Sequence, residues 1–298
     1  MKNAFGLPLY DIKEIVTDKS VKATVSSMLL PVLIYLGIPS NQSKQIITNC
    51  LQAASNYSKL EDYEEQAHSI LEKEKVAQKI PEKLSARASL MYSQIESYLL
   101  PGNVLDYGCG DGRVGELIAK NMLREVTLAD VYEHKHIEET GLKFELFNQG
   151  AKTPFSTDEF DNTLALTVYH HSSNPLNSLK DTQRVTKKGG RVIVIESVYG
   201  VDRKDLPKAM QKKIKNYLSL TLEQQRKANI FFDHFYNRVL HYSKDSETKV
   251  NVPFNFNTPE NWEKIFAQCG LKQEKIIHLG LDQPTAPEYH TLHILRKV

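Results

Sequence analysis

The sequence predicts an α/β fold with a seven-stranded, mainly parallel sheet whose last strand is reversed, preceded by a helical region and interrupted after strand five by a helical insert. Three observations carry this prediction. From residue 103 onward, short β-branched or apolar runs alternate with helical stretches, the pattern of a parallel sheet with helices on both faces. A glycine-rich turn, Gly108-Cys109-Gly110-Asp111-Gly112, joins the first of these runs to a helix. The last two runs are separated by a nine-residue loop too short for a crossover helix, so those strands are antiparallel neighbours.

Taken in order, residues 1–84 are rich in Ser, Lys, Glu and Gln and lack alternating strands. Pro31 and the Gly37-Ile38-Pro39-Ser40-Asn41 cluster are expected to break this region into helices, with Ser40 capping one that carries Ile46, Ile47, Cys50 and Leu51. Between Tyr57 and Lys75, six acids against three lysines leave a charge of −3, which reads as a solvated helix face. A helix over Ser85–Leu99 ends at Pro101-Gly102. The strands then fall at Asn103–Tyr107, Val126–Val131, Lys143–Phe147, Phe160–Val168 and Arg191–Ser197. The insert, residues 201–257, opens with a helical, basic stretch to Lys227, where eight bases against three acids leave +5. It reads as a second solvated face, followed by the aromatic helix Phe231–Tyr236. Helix Thr258–Cys269 and strands Gln273–Leu279 and Tyr289–Arg296 complete the chain. The expected division is a helical region, 1–84, and a domain, 85–298, that contains the insert.

Composition narrows the function. At 298 residues, 41% hydrophobic and 25% charged, the chain has ordinary globular composition. A net charge of +2 gives no global field for a polyanion. Cys50, Cys109 and Cys269 are far apart, so neither a zinc knuckle nor a disulfide framework is expected. The greasy run Met28–Ile38 is interrupted by Pro31 and falls short of the ~20 residues a bilayer needs. The expectation is a cytoplasmic protein with no membrane association.

The glycine turn points to a nucleoside cofactor. Its glycines let a ligand touch bare backbone, and the following helix offers free N–H groups to an anionic or carboxylate-bearing ligand. Asp130, at the end of the second strand, can accept ribose hydroxyls. Gly110-x-Gly112-x-x-Gly115 formally matches the dinucleotide fingerprint, and a nicotinamide dehydrogenase is one reading. However, Asp106 stands two residues before Gly108, where it would repel a pyrophosphate. It suits S-adenosylmethionine, which carries an ammonium group.

These residues resemble the class I, Rossmann-like S-adenosylmethionine-dependent methyltransferases, whose first motif is an acid followed by Gly-x-Gly-x-Gly. Asp130 resembles the family's second-strand acid. Lys152-Thr153-Pro154-Phe155, Phe160-Asp161 and Leu164–His171 resemble its fourth-strand motif, and Arg184–Val194 the helix and strand that follow. The reversed final strand fits as well. The resemblance covers about 85–200 and 258–298. It implies that Asp106, Gly108, Gly110, Gly112, Asp130, Asn148, Gln149 and Thr167 bind S-adenosylmethionine, leaving S-adenosylhomocysteine as product. Relatives often carry an acid where this chain has the amides Asn148 and Gln149.

Ligands of such sheets bind at the carboxyl ends of the strands. That rule selects His170 and His171 after strand four and Glu196, Ser197 and Tyr199 after strand five. It also selects the Gly280–Pro284 loop and Glu288, Tyr289 and His290 before the last strand. His170 is the first candidate for a general base, with His290 and Glu288 behind it. His171, Glu196, Tyr199, His234, Arg238 and His241 are candidate acceptor-binding residues, the last three at i, i+4 and i+7 of a helix in a lid-like insert. No metal is expected. Tyr169-His170-His171 replaces the Asn/Asp-Pro-Pro-Tyr/Phe of amino-methylating enzymes, and no cysteine stands where a cytosine nucleophile would, so the pattern is most similar to small-molecule methyltransferases. The alternatives are a tRNA or protein acceptor and a non-catalytic cofactor-binding scaffold. Homodimerisation through the N-terminal helices is also open.

Overall fold

The computed structural model of the chain describes residues 2–57, 59–76, 81–241, 250–284 and 286–298. These form two compact units. A helical unit comprises Met1–Lys83, Ser197–Thr258 and His278–His290, and a sheet unit comprises Leu84–Glu196, Pro259–Ile277 and Thr291–Val298.

The helical unit begins with α1 (Ile12–Thr17) and α2 (Lys19–Tyr35), capped by Asp11 and Asp18, whose carboxylates accept the first free amides. Pro31 does not break α2, contrary to the sequence expectation. Val25, Leu29, Val32 and Leu33 are all buried on that helix, and their packing outweighs the amide that proline removes. Helix α3 (Ser40–Asn56) buries Ile46, Ile47, Cys50 and Leu51 as its spacing predicts. Its cap is Pro39, so Ser40 is the first helical residue instead of the cap. Helix α4 (Leu60–Lys73) occupies the acidic stretch.

Helix α5 (Pro81–Ile95) leads into the sheet unit. There follow β1 (Val104–Tyr107), α6 (Arg113–Met122), β2 (Val126–Asp130), the short α7 (Ile137–Thr140), β3 (Lys143–Leu146), β4 (Phe160–Leu166), α8 (Pro175–Val185) and β5 (Thr186–Val198). The insert carries α9 (Lys208–Lys213), α10 (Lys215–Leu218) and α11 (Leu222–His234), the last running into a π-helical turn, Phe235–Leu240. The basic stretch is thus helical, as expected, in several short pieces. Helix α12 (Pro259–Gln268), β6 (Leu271–Gly280) and β7 (Tyr289–Lys297) finish the chain.

The strand order is β3-β2-β1-β4-β5-β7-β6. Strands β1 to β5 pair in parallel, with a register slip between Phe160 and Asn162 where β4 meets β5. The last strand is antiparallel, so the sheet is the Rossmann-like one that the sequence predicts. Leu105, Tyr107, Ala129, Phe147, Phe155, Phe160 and Val185 form one apolar cluster. Neighbouring β1 and β4 send their connections to opposite sides, which opens a crevice at their carboxyl ends. Among the described residues, no helix is long and apolar enough to cross a membrane.

Candidate active site

The glycine turn leaves β1 at that crevice. Gly108, Gly110 and Gly112 all have left-handed backbones, with φ of 72°, 56° and 75°. At Gly108 a side chain is excluded twice, because a Cβ would also lie 2.6 Å from Val168 Cγ2. Gly115 serves differently. A Cβ there would lie 2.5 Å from Leu128, so its absence lets α6 close onto β2.

Two carboxylates sit under this turn. The Gly110 amide donates to Asp130 Oδ2 (2.7 Å) and the Val131 amide to Oδ1 (2.6 Å), which fixes the carboxylate at the end of β2. Asp106 is buried, and its Oδ2 has no hydrogen-bond partner of ordinary geometry. Burial pushes its pKa up to about 7, the Asp130 and Asp111 charges add to this, and the Gly115 amide opposes them. An unsatisfied buried carboxyl is costly to keep, and a cation would relieve the cost.

Asn148, Gln149 and Thr167 also belong to the sheet unit. Asn148 turns the chain after β3 through its carbonyl, and Gln149 Nε2 lies 3.5 Å from the His171 carbonyl. Thr167 has φ +62°, a strained conformation for a β-branched residue, immediately after β4. Arg87 donates to its Oγ1 (3.3 Å), a partner that nothing in the local sequence around Arg87 announces.

His170 follows in a short 3-10 turn, Tyr169–His171. Its Nδ1 lies 2.6 Å from Glu196 Oε2, both side chains are buried, and Glu196 Oε1 accepts the Tyr169 amide (2.7 Å). Glu196, expected to face the acceptor, therefore holds His170. The His171 ring packs 4.1 Å from the His170 ring.

The helical unit holds the other predicted residues. His290 Nδ1 is 2.9 Å from Asp282 Oδ1, and its Nε2 is 3.9 Å from Glu288 Oε2, with all three side chains buried. Tyr199 is buried just beyond the end of β5. His234 and Arg238 converge on one acid, each 3.0 Å from Glu64 Oε1. Glu64 comes from α4, so the expected solvated face contains a buried carboxylate. The α-helix gives way to a π turn after His234, so the expected face keeps His234 and Arg238, while His241, at the end of that turn, packs edge-on to Tyr236.

Comparison with known proteins finds similarity within the sheet unit. Residues 105–194 match a family described as a methyltransferase domain. This stretch of the chain is similar to methyltransferase domains. Two curated relatives align with parts of the chain. An uncharacterized protein of Methanocaldococcus jannaschii is 30% identical over 113 residues, covering 34% of this chain and 49% of that protein. A ubiquinone biosynthesis O-methyltransferase of a Ruegeria species is 34% identical over 94 residues, covering 29% of this chain and 38% of that protein. The chain thus spans half or less of the length of the curated relatives it matches. Among solved structures, geranyl diphosphate C-methyltransferase from Streptomyces coelicolor is 13% identical, with 75% of this chain and 84% of that chain covered and a TM-score of 0.48. The matched stretch contains the glycine turn, Asp130, Asn148, Gln149, Thr167, His170 and His171, and it stops two residues before Glu196.

Proposed function

We propose that this chain transfers a methyl group from S-adenosylmethionine to a small-molecule acceptor. The observation that carries the proposal is Asp106, a buried carboxyl with an unpartnered oxygen beneath the glycine turn. A pyrophosphate would be repelled there, whereas an ammonium group supplies the missing partner. When bound, the cofactor supplies a methyl carbon made electrophilic by a sulfonium. On this reading Asp106, Gly108, Gly110 and Gly112 hold its amino-acid part, and Asp130 accepts from the ribose hydroxyls. On the same reading Asn148 and Gln149 would face the adenine, and Thr167, just after β4, is a further cofactor contact. The catalytic domain is 85–298, with 201–257 as its insert and 1–84 as an added helical region.

His170 is the proposed base for an O–H or N–H acceptor. The carboxylate of Glu196 keeps the proton on Nδ1 and the lone pair on Nε2, the tautomer a base requires. His290 with Glu288 is the second candidate pair. His171, Tyr199, His234, Arg238 and His241 remain candidates for acceptor contacts, although the contacts of His234 and Arg238 with Glu64 already give those two a structural role.

Calorimetry with S-adenosylhomocysteine and with NAD tests the cofactor. Heat with the former and none with the latter is expected, and the reverse would refute the proposal. Formation of S-adenosylhomocysteine with a metabolite panel, but not with bulk tRNA or protein, tests the acceptor class.

A further inference from the structure

Helix α11 buries an unusual row of polar residues. Gln225 accepts the Gly200 amide (2.9 Å) and donates to the Leu220 carbonyl (3.1 Å). Asn229 donates to the Val198 carbonyl (2.9 Å) and accepts the Tyr217 hydroxyl (2.8 Å). Those side chains are satisfied by the backbone that leaves β5. Arg226, between them, is not.

Arg226 is only 4% exposed. One of its N–H groups donates to the Pro8 carbonyl, and its guanidinium carbon lies 5.4 Å from the Tyr10 ring centroid, with the Tyr10 hydroxyl as a further partner. Its Nε is buried and makes no hydrogen bond. No carboxylate of the described residues lies within the 4.0 Å of an ion pair. The nearby acids are engaged elsewhere. Glu223 pairs with Lys227 at 3.6 Å and accepts from Tyr10, and Glu14 lies 3.7 Å from Lys227. Burial pulls the Arg226 pKa below its usual value, but guanidinium does not deprotonate in proteins, so the charge stays. The buried Tyr199 phenol lies close enough to feel that charge.

A buried guanidinium whose Nε–H lacks a partner is suited to an oxyanion, which would supply a charge-assisted acceptor. We propose that Arg226, with Tyr199 beside it, is a binding site within the helical unit for a small molecule bearing a carboxylate or a phosphate monoester. The site does not depend on the methyl-transfer reading. The competing role for Arg226 is purely structural, as a pin for the N-terminal segment at Pro8 and Tyr10.

The test is thermal unfolding of the full chain at fixed ionic strength set with chloride, with acetate, inorganic phosphate or neutral acetamide as probe. Acetate or phosphate should raise the melting temperature in a saturable manner, and whichever acts identifies the source chemistry. Acetamide should not. Arg226→Gln should abolish the shift and Arg226→Lys should retain part of it. If Arg226→Gln does not fold, Arg226→Lys and Tyr199→Phe should each weaken the apparent anion affinity several-fold. No anion-specific shift in the wild type, or an equal shift in the variants, overturns the site and leaves the structural pin. S-adenosylhomocysteine binding, measured separately, should be the same in Arg226→Lys, so a failed cofactor reading is not confused with a failed anion site.

Discussion

Replacing Asp106 by Asn should stabilise the ligand-free protein while weakening its hold on cofactor. The carboxyl titrates near 3.8 when solvated and at about 7 when buried in the fold. Its folded pKa is raised, so the folded state holds the proton more tightly than the unfolded state. Stability from this group is therefore complete below pH ~4, falls as pH rises, and is fully lost above ~7. At 1.36 kcal/mol per unit, the gap of about three units is worth about 4 kcal/mol at pH 8. Asp106→Asn removes that penalty, so it should raise the melting temperature by roughly 8 °C at pH 8, taking ~2 °C per kcal/mol for a chain of this size. The gain should shrink on acidification and vanish near pH 4. Binding should follow the opposite logic. The ligand's ammonium favours the ionised carboxylate, so the dissociation constant of S-adenosylhomocysteine in the wild type should tighten about tenfold from pH 6 to pH 8 and flatten above. In Asp106→Asn the affinity should be lower and independent of pH over that range. Differential scanning calorimetry and isothermal titration at pH 4, 6 and 8 measure both. A variant less stable than wild type at pH 8, or a wild-type affinity flat from pH 6 to 8, refutes the reasoning.

Other perturbations follow the same geometry. Glu196→Gln should leave S-adenosylhomocysteine affinity unchanged and cut kcat by ~10²-fold or more, because His170 loses the carboxylate that fixes its tautomer. Unchanged turnover would remove His170 as the base. Glu64→Ala leaves His234 and Arg238 without their buried acid and should cost about 3–5 kcal/mol in urea unfolding. A loss under 1 kcal/mol would mean the cluster is solvated. Gly108→Ala forces a Cβ against Val168 at positive φ, and should cost about 1–3 kcal/mol and abolish cofactor heat in calorimetry.

The sheet was legible because its signals are local. Alternation, strand-end glycines and the short loop before β7 are written within a few residues of each other, and they place β1 to β4 to within a residue or two. Strand β5 begins earlier than expected, at Thr186, because Lys187-Lys188-Gly189-Gly190 reads as a turn. Gly190 lies within it since a Cβ there would come 2.8 Å from the Asp161 carbonyl, a close approach that sequence does not display. The glycine turn and the carboxylate of Asp130 at the end of β2 were legible for the same reason as the sheet. Long-range partnerships were not. Glu64 sits among exposed acids and Arg226 among exposed bases, so a count of charge assigns both to solvent, and only the fold reveals that each is buried. Asp282, eight residues before His290, gave no signal beyond sharing its loop, and Glu196 was placed at the correct strand end with the wrong partner in view.

The helical unit is assembled from three separate stretches, the last ending at His290, while the sheet unit needs β7 beyond it. During synthesis the helical unit cannot finish until residue 290, nor the sheet unit until β7, has left the ribosome. Helices α1 to α4 emerge first and must wait, with apolar faces uncovered, for α11 and its π turn, about 150 residues later. A nonsense mutation anywhere before residue 290 therefore yields two incomplete units at once, and expression of residues 1–84 alone should give an aggregating peptide.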